Sequence, residues 1–533
     1  MNRAAANHFR VHPLPSRYLR LSGLFGILLG LAACSDDKPL TVSPDVSGTL
    51  SGIGYHASPT GQPPPSGDGS IQNPWNLATA LNAGNGVVQA GDTIWLHDGT
   101  YPGQYTATSL LSGTSGSPII VRQYPGEHAI IDGASVASGT SIFRIDGHDV
   151  WFWGFTVMSS KAGYNTSEPN SVYLRTSARN VKLVNMIIHD GGVGVYSEPQ
   201  TSGSEIYGSI IYNIGYQLSD RGHGHALYLK QDGTGSKLIA DNVMFNQFGF
   251  NIHTYSDAGS GDLKNMTFDG NVAFNAGGLS DNSTSANILM GGQEPVTASI
   301  VRNNFTYMVP GLGKYNVVIG DSLVQQTSVT VTGNKIVGGA GGLFRTWHWN
   351  ALTVTSDTLY DPGLQATQAA AAEQCTGSDN YGANFYYRNP QSSAWKWIGM
   401  DWRPLDDGTS SDWKSVTLCG GTDQGTASAP TTNWVYVRPN AYDNDRGHII
   451  VYNWSGGANV TVNVSSILEP GESYEVRSVQ NLNNVVASGS SQSGTITIPL
   501  AAVTPTPPVG GSPRAPVATG PTFDVFLLTR PNP

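Results

Sequence analysis

A chain of 533 residues is long enough for one long solenoid with an appendage, or for two domains. Only 12% of its residues are charged, 65 are glycine and the formal net charge is −10, so a general nucleic-acid binder is excluded. The low charge with many Gly, Asn, Ser and Thr points to turn-rich β structure rather than helical bundles.

The N-terminal 33 residues carry Arg3, Arg10, Arg17 and Arg20 and no acid, which leaves the remainder near −14. Arg17 and Arg20 precede the apolar run LSGLFGILLGLAA, which is short for a membrane span and ends in small residues as an export signal does. Its end, LAAC, closely resembles the bacterial lipobox. That resemblance implies removal of residues 1–33 and lipidation of Cys34, with Ser35 compatible with outer-membrane sorting. The mature protein is then expected in the bacterial cell envelope, held by its acyl chains; ordinary signal cleavage and secretion is the alternative. Residues 34–50 read as a polar tether.

From residue 51 the chain alternates short apolar strands with turns. Asn73-Pro74 opens a short helix whose apolar side is Trp75, Leu77, Ala78 and Leu81, suited to cover the open end of a solenoid. GDTIWLHDGTY, SPIIVRQYPGEHAIIDG and FRIDGHDVWFWGFTVMSS then read as successive coils. This arrangement (55–61, 73–81, 91–101, 117–133 and 150–160) resembles the right-handed parallel β-helix proteins of the pectate-lyase-like superfamily. The resemblance implies an all-β, right-handed parallel β-helix over 51–360 with an N-terminal capping helix. It implies less about activity, because the fold hosts lyases, hydrolases, epimerases and binders.

An internal repeat supports the same fold. NMIIH, SIIYN, NVMFN, NVAFN, NFTYM and NKIVG begin at Asn185, Ser209, Asn242, Asn271, Asn304 and Asn334, spaced 24, 33, 29, 33 and 30 residues apart. Asparagine tolerates left-handed backbone and bonds neighbouring amides, so Asn242, Asn271, Asn304 and Asn334 are expected to stack as a structural ladder. Residues 361–430 break the pattern and read as an irregular, Trp-rich connector. Six short period-2 segments over 431–533 read as a small antiparallel β-sandwich, similar to accessory domains found behind such β-helices, with a flexible Pro-rich hairpin at 505–516. Cys375 and Cys419 are a plausible disulfide in an oxidising compartment, closing a loop of about 44 residues.

The densest functional signal lies in RGHGHALYLKQ and FNIHTYS. Aligning Val195, Leu227, Ile252, Ile288 and Val317 as inward residues puts Tyr196, Tyr228 and His253 in one outward row. It puts Glu198, Lys230 and Tyr255 in the next, and Ala226, Asn251 and Asn287 in a third. This register turns His225 inward.

An acid, a cation, a base and phenols on one long face suit a polysaccharide. His253 is the expected general base, since an ordinary imidazole titrates near neutrality. Lys230 is expected to neutralise a uronate carboxylate, with Tyr255 and Glu198 completing the catalytic set. Tyr196, Tyr228, Arg221, His223, Asn251 and Asn287 are expected to bind substrate. The expectation is a lyase acting by β-elimination on an acidic glycan. A β-helix glycoside hydrolase, with Asp190, Asp232 or Asp257 as a second carboxylate, and a non-catalytic glycan binder are the alternatives. No cofactor or protein metal site is expected. Calcium, which assists several lyases of this superfamily, stays an alternative, although Asp220, Asp232, Asp257 and Asp262 are scattered. The chain is expected to act as a monomer whose partners are a polysaccharide and, through its anchor, a membrane.

Overall fold

The structure, a computed structural model, describes residues 54–103, 106–282, 285–321, 324–362, 370–372, 379–397, 402–416 and 421–531. The signal run, the tether, and Cys34, Cys375 and Cys419 with their expected lipidation and disulfide lie outside the described residues.

Three parallel sheets of 12, 11 and 12 strands run the length of a β-helix. Each coil contributes one strand to each sheet, as Lys237–Ala240, Val243–Phe245 and Phe250–Thr254 do, and the next coil lays Met266–Asp269, Val272–Phe274 and Ile288–Met290 upon them. Period-2 alternation explains the packing. Ile239, Met244 and Ile252 point inward and stack on Phe268, Ala273 and Ile288, all essentially inaccessible to solvent. Burying each Ile, Met or Phe side chain of this kind stabilises by about 1.5–3 kcal/mol. The expected register, with Ile252 on Ile288, is the one observed. At the N-terminal end the helix Leu77–Leu81 closes the core; the side chain of Asn76 caps it by accepting from the Thr79 amide at 2.8 Å.

Stacked asparagines hold one corner. The Asn242 side-chain amide donates to Asn271 Oδ1 at 2.9 Å, Asn271 to Asn304 at 3.0 Å and Asn304 to Asn334 at 2.9 Å. Each also donates to a backbone carbonyl, from Ile206, Ile239 and Phe268 in turn, so the buried corner leaves none of these amides unpaired. The left-handed residue is the one before each rung: Asp241, Gly270, Asn303 and Gly333.

The ladder continues beyond the expected solenoid boundary. Asn334 donates to Asp357 Oδ1 at 2.8 Å, the Asp357 amide to Asn384 Oδ1 at 3.1 Å, and the Asn384 side chain to Asp423 Oδ1 at 3.0 Å. Thr358–Tyr360 pairs with Phe385–Tyr387, which pairs with Gln424–Thr426. The region expected to be an irregular connector from 361 therefore supplies further coils. Its buried Trp395 and Trp413 fill the core where earlier coils use aliphatic residues, which hides the alternation.

Burial pushes the Asp357 carboxyl up to about 7, against the donors from Asn334 that favour its anion. A carboxyl raised above its ordinary value contributes stability that is complete below that value and is lost as pH rises through about 7. Asp357→Asn, which restores the residue used at other rungs, should therefore stabilise the protein increasingly between about pH 5 and about pH 8. Denaturant midpoints at the two pH values check this; a difference from wild type that does not grow with pH contradicts it.

The C-terminal region has a five-stranded antiparallel sheet in the order Trp434–Pro439, Arg446–Tyr452, Phe523–Thr529, Ser473–Ser478 and Val485–Ser490. One face packs on the ribbon Asn459–Asn463 and Thr495–Pro499 through Ile449, Val451, Val460 and Ile496. The opposite face, with Ile450, Tyr452, Phe523 and Val525, is buried against Tyr212, Phe245, Phe274 and Tyr307 of the β-helix. The strand GHIIVY is apolar on both faces because both are covered.

The Pro-rich segment, expected as a flexible hairpin, is tied along the solenoid. Asn213 donates to the Thr506 carbonyl at 3.0 Å, the Val509 amide to Asp190 at 2.8 Å, and Asn275 to the Val517 carbonyl at 3.1 Å. The carbonyls that the corner asparagines use are those of Thr506 and Val517, each next to a proline.

Candidate functional site

The 11-stranded sheet carries a row of outward residues in direct register. Arg144, Tyr173, Tyr196, Tyr228, His253 and Leu289 lie one per coil. Successive ring centroids from Tyr173 to His253 are 5.0, 5.3 and 5.1 Å apart, close to the strand spacing that sets them. The sequence places Tyr196, Tyr228 and His253 in this row, and the structure brings them together.

His225 differs from its expected inward position. The ladder pairs His225 with Phe250 and Leu227 with Ile252, passing over Ala226, which is buried in the core. Gly224, just before, is left-handed at φ 97°, and a Cβ there would meet the Gly192 carbonyl at 2.4 Å. This turn breaks the alternation and sends the His225 ring outward, 4.4 Å from His253 and 5.4 Å from Tyr228 between centroids. The Phe250 amide donates to His225 Nδ1 at 3.4 Å, and the Phe250 ring stacks on His253 at 4.6 Å. Neither Phe250 nor the outward His225 is legible from alternation; the Gly-His-Gly-His spacing at 222–225 is the signal for a turn.

Burial, then His253 and Arg221, hold His225 well below the ordinary histidine value. Burial, then Arg221 and Lys230, push His253 down to about 3. Both imidazoles are neutral in the neutral pH range, and His253 Nδ1 is buried without a hydrogen-bond partner among the described residues.

Around this pair stand the other expected residues. Tyr255 stacks beside His253 at 5.3 Å and accepts from Gln293 at 3.2 Å. Lys230 is mostly buried, with its ammonium 4.0 Å from the exposed Asp257 carboxylate and 5.6 Å from the Tyr228 ring centre. Burial first, and then Asp257, raise the Tyr228 phenol and keep it protonated. Arg221 and His223 sit on a small hairpin, Tyr216–Gln217 with Gly222–His223, where His223 bonds Asp220 at 2.9 Å and stacks on Tyr216.

Glu198 is held as an anion. Burial alone would raise its carboxyl, but the Thr176 and Tyr173 hydroxyls, then Arg175 at 3.4 Å and the Thr176 amide at 2.8 Å, bring it below its ordinary value. It thus anchors the far side of the tyrosine row and has no proton to give.

Asn251 and Asn287 are not on the groove. Both are fully buried in a second corner ladder, Asn251 donating to Asn287 at 2.9 Å and Asn287 to Asn316 at 2.8 Å. Their amides also bond the Phe274 and Tyr307 carbonyls. Alternation would turn both outward, but Asn287 precedes its strand, Ile288–Met290, and each amide is held inside by the next asparagine and a backbone carbonyl.

The acids that calcium would need are otherwise engaged. Asp232 and Asp262 share Lys264 at 2.9 and 3.4 Å, Asp220 bonds His223, and Asp257 faces Lys230. Among the described residues no three His, Cys, Asp or Glu side chains come together as a metal-holding group. Asp220, Asp232, Asp257 and Asp262 do not form such a group.

No family model matches the chain. An uncharacterized protein of Bacillus subtilis (strain 168), YwoF, is 32% identical over 98 residues, which are 18% of this chain and 20% of that one. The chain thus spans about a fifth of the length of the curated relative it matches. Among solved structures, a pectate lyase, Pel9A, aligns over 64% of this chain and 81% of its own with 17% identity and a TM-score of 0.43. A lacto-N-biosidase from Eubacterium ramulus aligns over 70% and 67% with 13% identity and a TM-score of 0.39.

Proposed function

We propose that this protein is an exported, lipid-anchored, carbohydrate-active enzyme that cleaves an acidic polysaccharide by β-elimination. The observation that carries this reading is a neutral imidazole, His253, set on an open aromatic row with two cations, Arg221 and Lys230, acting on it. Elimination needs a base for the proton α to the uronate carboxylate, a cation for that carboxylate, and a donor for the leaving oxygen. His253 takes the proton, and the electron pair of the broken C–H bond forms the ring double bond as the glycosidic C–O bond breaks and its pair leaves with the oxygen. Lys230 and Arg221 hold the carboxylate and the charge that develops on it. The phenols of Tyr228 and Tyr255 stand beside His253 to protonate the leaving oxygen. Burial depresses His253 most and the two cations less, and a substrate carboxylate would offset the cations.

Hydrolysis is disfavoured by the carboxylates. Glu198 is a locked anion, Asp190 is bonded to His189 at 2.6 Å and to the Val509 amide, and Asp232 is engaged by Lys264. Of the candidate carboxylates only Asp257, exposed and 4.0 Å from Lys230, is not tied by a close contact, so these candidates do not supply two free carboxylates across one bond.

A panel of alginate, pectate, glycosaminoglycans and bacterial exopolysaccharides tests the reading. Ultraviolet absorbance of an unsaturated sugar should rise in step with reducing ends. Reducing ends without absorbance would mean hydrolysis, and retained binding with neither signal would mean a binding module. The anchor is tested by Cys34→Ser, which should move the protein from membranes to the soluble fraction; unchanged fractionation would refute it.

A further inference from the structure

The tyrosine row leads away from His253 through Tyr228, Tyr196 and Tyr173 to Arg144, four coils distant. At about 4.8 Å per coil this is about 19 Å. Beyond Tyr173 the face opens into a concavity of about 430 Å³ lined by Arg144, Asp146, Arg175, Thr176, Ser177 and Arg179. Three guanidiniums converge there on a chain whose formal net charge is −10. Asp146 engages Arg144 at 2.9 Å and Glu198 engages Arg175 at 3.4 Å, so three cations meet two anions. Arg144 and Arg175 nevertheless keep side-chain exposures of 41% and 43%, leaving donors open to solvent. In the other direction the two coils beyond His253 present Leu289 and Val318 and the third presents Arg345, so the tyrosine row itself runs one way only.

We propose that this concavity is a distal anion subsite that takes a carboxylate of the same acidic polysaccharide whose reacting unit lies at His253. The tyrosine phenyl faces carry the intervening sugars, and the guanidiniums fix the polarity and reach of the bound chain. Guanidinium forks match carboxylate geometry, whereas a neutral glycan offers them only hydroxyls. The inference rests on the proposed function for its ligand class, but its test reads binding rather than cleavage.

Calorimetry on the His253→Ala protein compares an oligouronide long enough to span the row with one half that length, and each with a neutral oligosaccharide of equal length. The long oligouronide should bind about tenfold tighter or more than the short one, with the gain shrinking as salt rises. In the His253→Ala background, Arg144→Gln with Arg179→Gln should bring that ratio toward one. A ratio near one in the parent, a ratio kept in the arginine variant, an equal gain for the neutral glycan, or no oligouronide binding overturns the subsite. Normal elimination by the wild type alongside a lost subsite would leave the proposed reaction standing. Arginine-dependent length discrimination without any elimination would retain the subsite and remove the reaction.

Discussion

His253→Ala should lower kcat/KM for β-elimination by about 10²–10⁴ while leaving the fold intact. The ring is half-buried at the surface of the sheet, so its loss removes contacts with Phe250, Tyr228 and Tyr255 without opening the solenoid core. Lys230→Ala should lose most activity on uronates, because the carboxylate that must be neutralised then faces Asp257 without its cation. The pH profile adds a separate check. Since His253 is pushed down to about 3 in the free enzyme, kcat/KM should not fall with an ordinary histidine titration as pH drops through about 6.5. Near-wild-type rates in both variants would place the reaction elsewhere on the molecule.

Phe274→Ala should destabilise the protein by about 3–5 kcal/mol. Phe274 is fully buried, stacked on Phe245 at 4.8 Å and in edge contact with Phe523 of the C-terminal sheet at 5.4 Å. The cavity would lie between the solenoid and that sheet, whose strand faces Ile450, Tyr452 and Val525 line the same apolar layer. The shift in denaturant midpoint measures the effect. A loss below about 1 kcal/mol would mean that this layer contributes little to holding the two parts together.

The solenoid was legible because its coils repeat a simple physical rule. Leu227 and Ile252 must both face inward, and one residue on, Tyr228 and His253 must then face outward. Rules of that kind fail where the chain turns. His225 is released by the left-handed Gly224, and Asn251 and Asn287 are spent on corner carbonyls. Past residue 360 the inward positions are filled by large residues such as Tyr381, Tyr386 and Trp395, so the coils continue without their apolar signature. Contacts between distant segments leave no local trace at all. The Pro-rich strap reads as a loose hairpin until Asp190, more than 300 residues earlier, is seen to accept from the Val509 amide. The candidate site follows the same division. The row Tyr196, Tyr228 and His253 comes from periodicity, whereas the locking of Glu198 by Tyr173, Thr176 and Arg175 depends on the coil stacked beneath it.

Cleavage of an acidic polysaccharide in heavy-oxygen water, with the products weighed by mass spectrometry, tests the central claim most directly. β-Elimination breaks the bond without adding water, so the new non-reducing ends should be unsaturated, lighter by one water than hydrolytic ends, and no heavy oxygen should enter with bond cleavage. Saturated products that gain one heavy oxygen per bond broken would contradict the account, and would require a pair of carboxylates in place of His253.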